Sequence, residues 1–283
     1  MSNFLNDQAA GLRRIMAAPR PRVVSIISAS PSQDFQSQTQ ARLMTNLAAS
    51  IRCHGSDVLI VHASIDSRES SYEIERLPAL LDVATENATL LDAIKSSSHG
   101  YYVTKLMQRN QVNTPLDNKV SSQLNRIFDS LARQYEIVLV DATLNKNHLL
   151  PLKTLNESEI LIQLTRHPES IKMAYTLIKQ ICSQLGRRPF GIIVDDATDA
   201  QAQIVFRNIS QVARRFMQIE LEFFGAIPPD EHLSRAAKLG RAVIDAFPLA
   251  TASAAFKEIA QRLDYTYEHK QDFNADIKQA SFI

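Results

Sequence analysis

The stretch VVSIISASPSQDFQSQTQARLMTNLAASI, residues 23–51, decides how the rest of the chain is read. It opens on an apolar, β-branched run, passes through a short polar loop and closes on a helical pattern. Strand, loop and helix in that order form the unit with which many α/β proteins hold phosphate. They do so with successive backbone N–H groups, a helix N-terminus and a lysine. This loop has neither glycine nor lysine. No lysine falls between Arg22 and Arg42, and no glycine between residues 12 and 54. Glycine is scarce throughout, 7 of 283 residues or about 2.5%, against a usual share near 7%. A phosphate cradle needs close backbone approach and positive φ, which glycine supplies at little steric cost.

Outward from this stretch, apolar runs alternate with helical patterns, as a parallel α/β sheet requires. Strands are predicted at 22–28, 57–63, 135–141, 159–165, 190–196 and 221–227. Several are apolar at nearly every position, the pattern of strands covered on both faces. Helices are predicted near 37–54, 117–133, 169–184, 199–217 and 251–263, with Pro168 and Glu169 marking one start. Between 64 and 116 the signal is weaker: PALLDVA and ATLLDAIKS read as helical, GYYVTKLM as a further strand.

Composition fits a soluble globular protein, with 45% hydrophobic and 22% charged residues. No apolar run approaches the roughly 20 residues of a membrane-crossing helix, and MSNFLNDQAAGLRR has no apolar signal-peptide core. Cys53 and Cys182 stand far apart without Cys or His neighbours at metal spacing, so both are read as reduced thiols and no metal site is expected. A net charge of +1 points to no nucleic-acid partner; the basic pairs Arg187-Arg188, Arg214-Arg215 and Arg235/Lys238 are scattered over helix faces and ends. Residues 3–17 form a separate piece. Leu5, Ala9, Leu12, Ile15 and Met16 share one helical face, and APRPR behind them cannot continue a helix. So short a helix is marginal alone in water. Its stripe either packs back on the domain or is offered to a partner's groove.

Several motifs resemble those of the flagellar number regulator family FlhG, also called FleN, within the MinD/ParA group of deviant Walker ATPases. DQAAGLRRIM (7–16) is similar to the DQAxxLR motif that opens that family. YEIVLVDATLN sits where the family has a strand ending in a switch motif, SEILIQLTRHPESIKMAYTLIKQI matches a family strand and helix, and GAIPPDEHLSRAA and AVIDAFP resemble its C-terminal third. The resemblance implies a doubly wound, mostly parallel sheet with helices on both faces. It also implies the organisation of the chain: an N-terminal extension (1–21), one α/β domain (22–264) and a tail (265–283).

The departures from the family fall on its chemistry. Counting back from Asn46-Leu47-Ala48 puts Gln40 at the phosphate-loop lysine, Ala41 at the Mg²⁺-binding hydroxyl and Phe35 at the deviant first lysine. Asp34, Gln36, Ser37 and Thr39 then stand at the glycines. Side chains there would block the cradle, and Asp34 would add a like charge beside phosphate. His62 and Ser64 replace metal- and water-handling carboxylates, Asp141 survives without the switch proline and glycine, and Asp195 stands where an adenine-reading asparagine is expected. The expectation is a pseudo-ATPase, not an enzyme, without ATP or Mg²⁺. His62 has no ligand-spaced partners, an isolated Asp141 is read as capping a helix or pairing with a lysine, and Asp195-Asp196 as a solvated strand end and helix cap.

What the resemblance implies for function is a cytoplasmic regulator of flagellar number or placement. It would act on the FlhF-type GTPase through Asp7, Gln8, Ala9, Leu12 and Arg13, as a monomer, recruited to the cell pole or membrane only through a partner. A flagellar transcriptional activator or a switch-complex component are other partners the family suggests. A weak ATPase with a rearranged loop is the enzymatic alternative. From Asp264 onward the chain carries four acidic residues against Lys270 and Lys278 and lacks the basic face of an interfacial helix, so weak or no membrane binding is expected.

Overall fold

Six of the apolar runs become parallel strands within an eight-stranded sheet. The computed structural model describes residues 22–30, 33–64, 72–111, 116–145 and 147–263, and only the backbone at 33–38. The N-terminal stripe of residues 3–17 and the tail from 264 therefore lie outside the described residues. In chain order the elements begin with β1 (Arg22–Ser28), α1 (Gln33–Cys53), β2 (Val58–Ala63), α2 (Leu80–Ala84), β3 (Lys95–Ser96) and β4 (Tyr102–Lys105). Then come α3 (Asn118–Ala132), β5 (Ile137–Ala142), β6 (Glu159–Thr165), α4 (Pro168–Leu185), β7 (Phe190–Asp195) and α5 (Asp199–Met217). The chain continues through β8 (Leu221–Ile227), α6 (Glu231–Lys238) and α7 (Val243–Ala246) to a helix α8 over 251–263.

The strand order is β3-β4-β2-β5-β1-β6-β7-β8. Pairing is parallel except between β3 and β4. β2, β5 and β7 are buried at every position, which explains their unbroken apolar sequences. The pleat divides them between two layers. Ile137 and Leu139 join Val24 and Ile26 against α1 and the C-terminal helices, while Val138 and Val140 join Ile27 against α3, α4 and α5. Two apolar cores on opposite faces make the doubly wound α/β architecture. β1 lies at its centre, between β5 and β6, where such sheets open a crevice at the carboxyl ends of their strands.

Two local expectations are corrected. ATLLDAIKS does not form a helix. Thr89 and Asp92 bond each other across a single turn, and the chain then extends, because Lys95 and Ser96 pair with β4. α1 starts at Gln33, not 37. With a side chain at every position, the stretch takes the α conformation in place of an open loop.

Gly191 shows how tightly this sheet is covered. A Cβ there would overlap Leu161 Cδ2 and the ring edge of Phe224, both buried. Gly191→Ala is expected to lower unfolding free energy by about 1–3 kcal/mol through overpacking. A urea midpoint equal to the parent's would show that the two side chains can give way.

Candidate functional site

At the carboxyl ends of β1, β5, β2 and β7, where an open α/β sheet forms its crevice, several polar side chains are buried and bonded to one another. Asp34, Phe35, Gln36, Ser37 and Thr39, counted onto the phosphate loop, lie in the first two turns of α1. Beyond the first turn a helix spends its N–H groups on i→i−4 bonds, so those of Ser37 and Thr39 are not free to wrap an anion, and only the first turn points N–H groups outward. Gln40, at the lysine position, is fully buried. Its Nε2 donates to the carbonyls of Ile26 (2.8 Å) and Ala142 (3.5 Å), which anchors α1 to the ends of β1 and β5. Ala41 is buried beside it and has no hydroxyl to offer a metal.

Register brings the next residues together. His62 on β2 is paired in the ladder with Asp141 on β5 and with Lys105 on β4. Asp141 Oδ2 accepts from the Tyr72 hydroxyl at 2.8 Å and stands 3.0 Å from His62 Nδ1. The His62 and Tyr72 rings lie 5.3 Å apart, and all three residues are at most 6% exposed. Burial first, then the neighbouring Asp141 charge, pushes the Tyr72 hydroxyl well above its ordinary range and keeps its proton in place. Lys105 is fully buried and donates to the Glu75 carbonyl at 3.1 Å. Asp141 is therefore not isolated, since it meets Tyr72 and His62, and His62 finds its carboxylate partner across the sheet and not through sequence spacing. Tyr72 and Lys105 were not foreseen; a lysine closing the apolar run GYYVTK was the one available signal. The order Tyr–Asp–His suggests a proton relay, but the three are almost wholly buried and include no activated nucleophile. It acts as a clamp joining β2, β5 and the segment at 72. Ser64 follows β2, half-buried and outside this network.

Asp195 is a further correction. It is 2% exposed and not a solvated strand end. Its Oδ2 accepts from Arg42 Nη2 at 2.9 Å and Gln163 Nε2 at 3.0 Å, while Oδ1 accepts the Asp196 amide at 2.9 Å. The cap of α5 is Thr198, in a capping box with Gln201. The carboxylate at the adenine-reading position is thus held by an arginine from α1, which ties that helix to β7. Among the described residues, no group of three His, Cys, Asp or Glu is arranged to hold a metal ion, and no helix is long and apolar enough to cross a membrane. The predicted partner residues Asp7, Gln8, Ala9, Leu12 and Arg13, and the side chains of Asp34 and Phe35, lie outside the described residues.

Sheet order, the helix following the central strand and the position of the crevice define a MinD/ParA-type α/β fold. Solved structures agree: MinD with Mg-ADP from Pyrococcus horikoshii superposes with a TM-score of 0.62 at 17% identity, over 86% of this chain and 96% of that one. Among curated proteins the chain is 25% identical over 228 residues to the antiactivator FleN of Pseudomonas aeruginosa, covering 80% of this chain and 81% of that protein. It is also 25% identical over 249 residues to an uncharacterized ATP-binding protein of Methanocaldococcus jannaschii, covering 85% and 88%. No family model matches the chain. The chain is a FleN homologue with the MinD/ParA fold, as its motifs led one to expect.

Proposed function

We propose that this protein is a FlhG/FleN-like regulator of flagellar number or placement that works without nucleotide, stimulating an FlhF-type GTPase through its N-terminal DQAxxLR segment. The observation that carries the loss of ATP chemistry is the helix running through the phosphate-loop positions, with Gln40 turned into the sheet in place of a lysine. In MinD-type proteins ATP drives dimerisation. A ligand that makes no differential contact shifts no equilibrium, so the protein is a nucleotide-independent scaffold and a monomer. Gel filtration with and without ATP checks this; an ATP-dependent doubling of mass would overturn it.

The decisive experiment is GTP turnover by the cognate GTPase alone, with this protein, and with its Gln8→Ala variant. Stimulation by the parent is expected. The variant should lose most of it, by up to about a hundredfold if Gln8 positions a polar group at the partner's reacting centre. No stimulation by the intact protein sinks the role. Hydrolysis of ATP, or binding of ATP that requires magnesium, would favour the weak-ATPase alternative. The antiactivator relative supports a second reading, antagonism of a flagellar transcriptional activator through the body of the domain. In that case deletion of residues 1–20 would leave binding to the activator intact.

A further inference from the structure

A cleft of about 640 Å³ lies over the outer face of α1, between α6 with the turn behind it and the segment from Lys95 to Tyr101. That is the size of a small-molecule site. Of the described side chains counted onto the nucleotide loop and its metal and base contacts, Thr39 and Ala41 line it; Gln40, His62, Asp141 and Asp195 do not. Its buried lining is half polar: Thr39, Asn46, Tyr72 and Tyr101 are each 5–6% exposed and sit beside the apolar Ala41, Val103, Leu233 and Ala242. Burial pushes the Tyr101 hydroxyl up to about 12, so it stays protonated as a donor. The hydroxyls of Thr45, Ser97, Ser98 and Ser234 add to the walls.

The charges in the cleft are arranged unevenly. Among the described residues four basic side chains line it, Arg42, Lys95, His99 and Arg241, against one carboxylate, Glu73. Lys95 and Glu73 pair with each other at 2.8 Å. The groups that hold the other three cations stand outside the lining. Asp195 holds Arg42 at 2.9 Å. Asp245 meets His99 Nδ1 through its carboxylate at 2.7 Å and accepts from Arg241 Nη2 through its main-chain oxygen at 2.9 Å. Asp245 thus gathers two basic side chains at one rim. A guanidinium that spends one N–H on such a contact keeps others, so Arg42 and Arg241 bring further N–H donors to the cavity walls. The ligand that complements such a site carries several acceptor oxygens and a negative charge.

We propose that this cleft binds a small molecule bearing a phosphate or diphosphate group, without a metal ion. The inference is independent of the flagellar reading, and it differs from the nucleotide site of the fold in its residues and in needing no magnesium.

The test is calorimetric titration of the full chain with inorganic pyrophosphate, in the presence of a magnesium chelator and at fixed ionic strength. Saturable binding is expected, weakened about tenfold by Arg241→Ala and abolished by Arg241→Ala with His99→Gln. Ser234→Asp, at an exposed wall position, should repel the anion without disturbing the fold, as a thermal melt will verify. Arg214→Ala, on α5, should leave binding unchanged. Absence of saturable binding by the parent up to millimolar concentration overturns the proposal. So does binding that the cleft variants and the Arg214 variant weaken alike, which would mark a diffuse charge effect.

Discussion

Asp141→Ala is expected to cost about 2–5 kcal/mol of unfolding free energy and to lower the melting temperature by roughly 5–15 °C. The reason lies in what the substitution leaves behind. The Tyr72 hydroxyl and the His62 ring both meet Asp141 Oδ2, and both residues are almost wholly buried. An unpaired buried donor forfeits its solvation without compensation, which costs more than a hydrogen bond contributes. Adding Tyr72→Phe to Asp141→Ala should therefore recover part of the loss, because removing both partners of a buried bond is far less costly than removing one. Urea unfolding followed by circular dichroism on the two single variants and the double variant measures the coupling. If Asp141→Ala were as stable as the parent, the clamp would be a misreading, and a surviving functional carboxylate would become the better account.

The fold was legible because its signals are local. Strands covered on both faces read as continuous apolar runs, and β2, β5 and β7 are buried at every residue. Pro168 with Glu169 marks a helix start by chemistry confined to a single turn. The absence of glycine and lysine from the first loop was equally plain, being a property of the sequence itself. How the buried polar side chains near it pair was not legible. His62 and Asp141 are 79 residues apart, Tyr72 and Asp141 69, Arg42 and Asp195 153. Periodicity in one chain carries no information about such pairs. They follow from strand order and register, which set β2 beside β5 and direct α1 toward β7. For the same reason Asp195 looked like a solvated strand end. A carboxylate at the carboxyl edge of a sheet is ordinarily wet, and only the arriving Arg42 and Gln163 make it a buried partner.

The sharpest consequence is that lysine alone will not restore the nucleotide site. Gln40→Lys places the residue of a working phosphate loop at the counted position, yet magnesium-dependent ATP binding is expected to remain undetectable at micromolar protein. The variant should also be less stable than the parent by about 2–4 kcal/mol. Two physical facts oppose rescue. The Gln40 side chain is fully buried and directed at the carbonyls of Ile26 and Ala142, so an ammonium there would exchange water for two neutral oxygens and pay its desolvation. And a lysine contributes to phosphate binding only when backbone N–H groups converge on the same anion, whereas residues 33–39 are helical. Restoring function would require remaking that loop with glycine. Calorimetry with ATP, with and without magnesium, on Gln40→Lys and the parent decides between the two views. Micromolar, magnesium-dependent binding by the single variant would mean that the helix opens readily into a cradle, and that the chain stands one residue away from being a nucleotide-binding protein. Its absence, together with a lowered urea midpoint, would mean that the side chain at position 40 has become part of the core that holds α1 against the sheet.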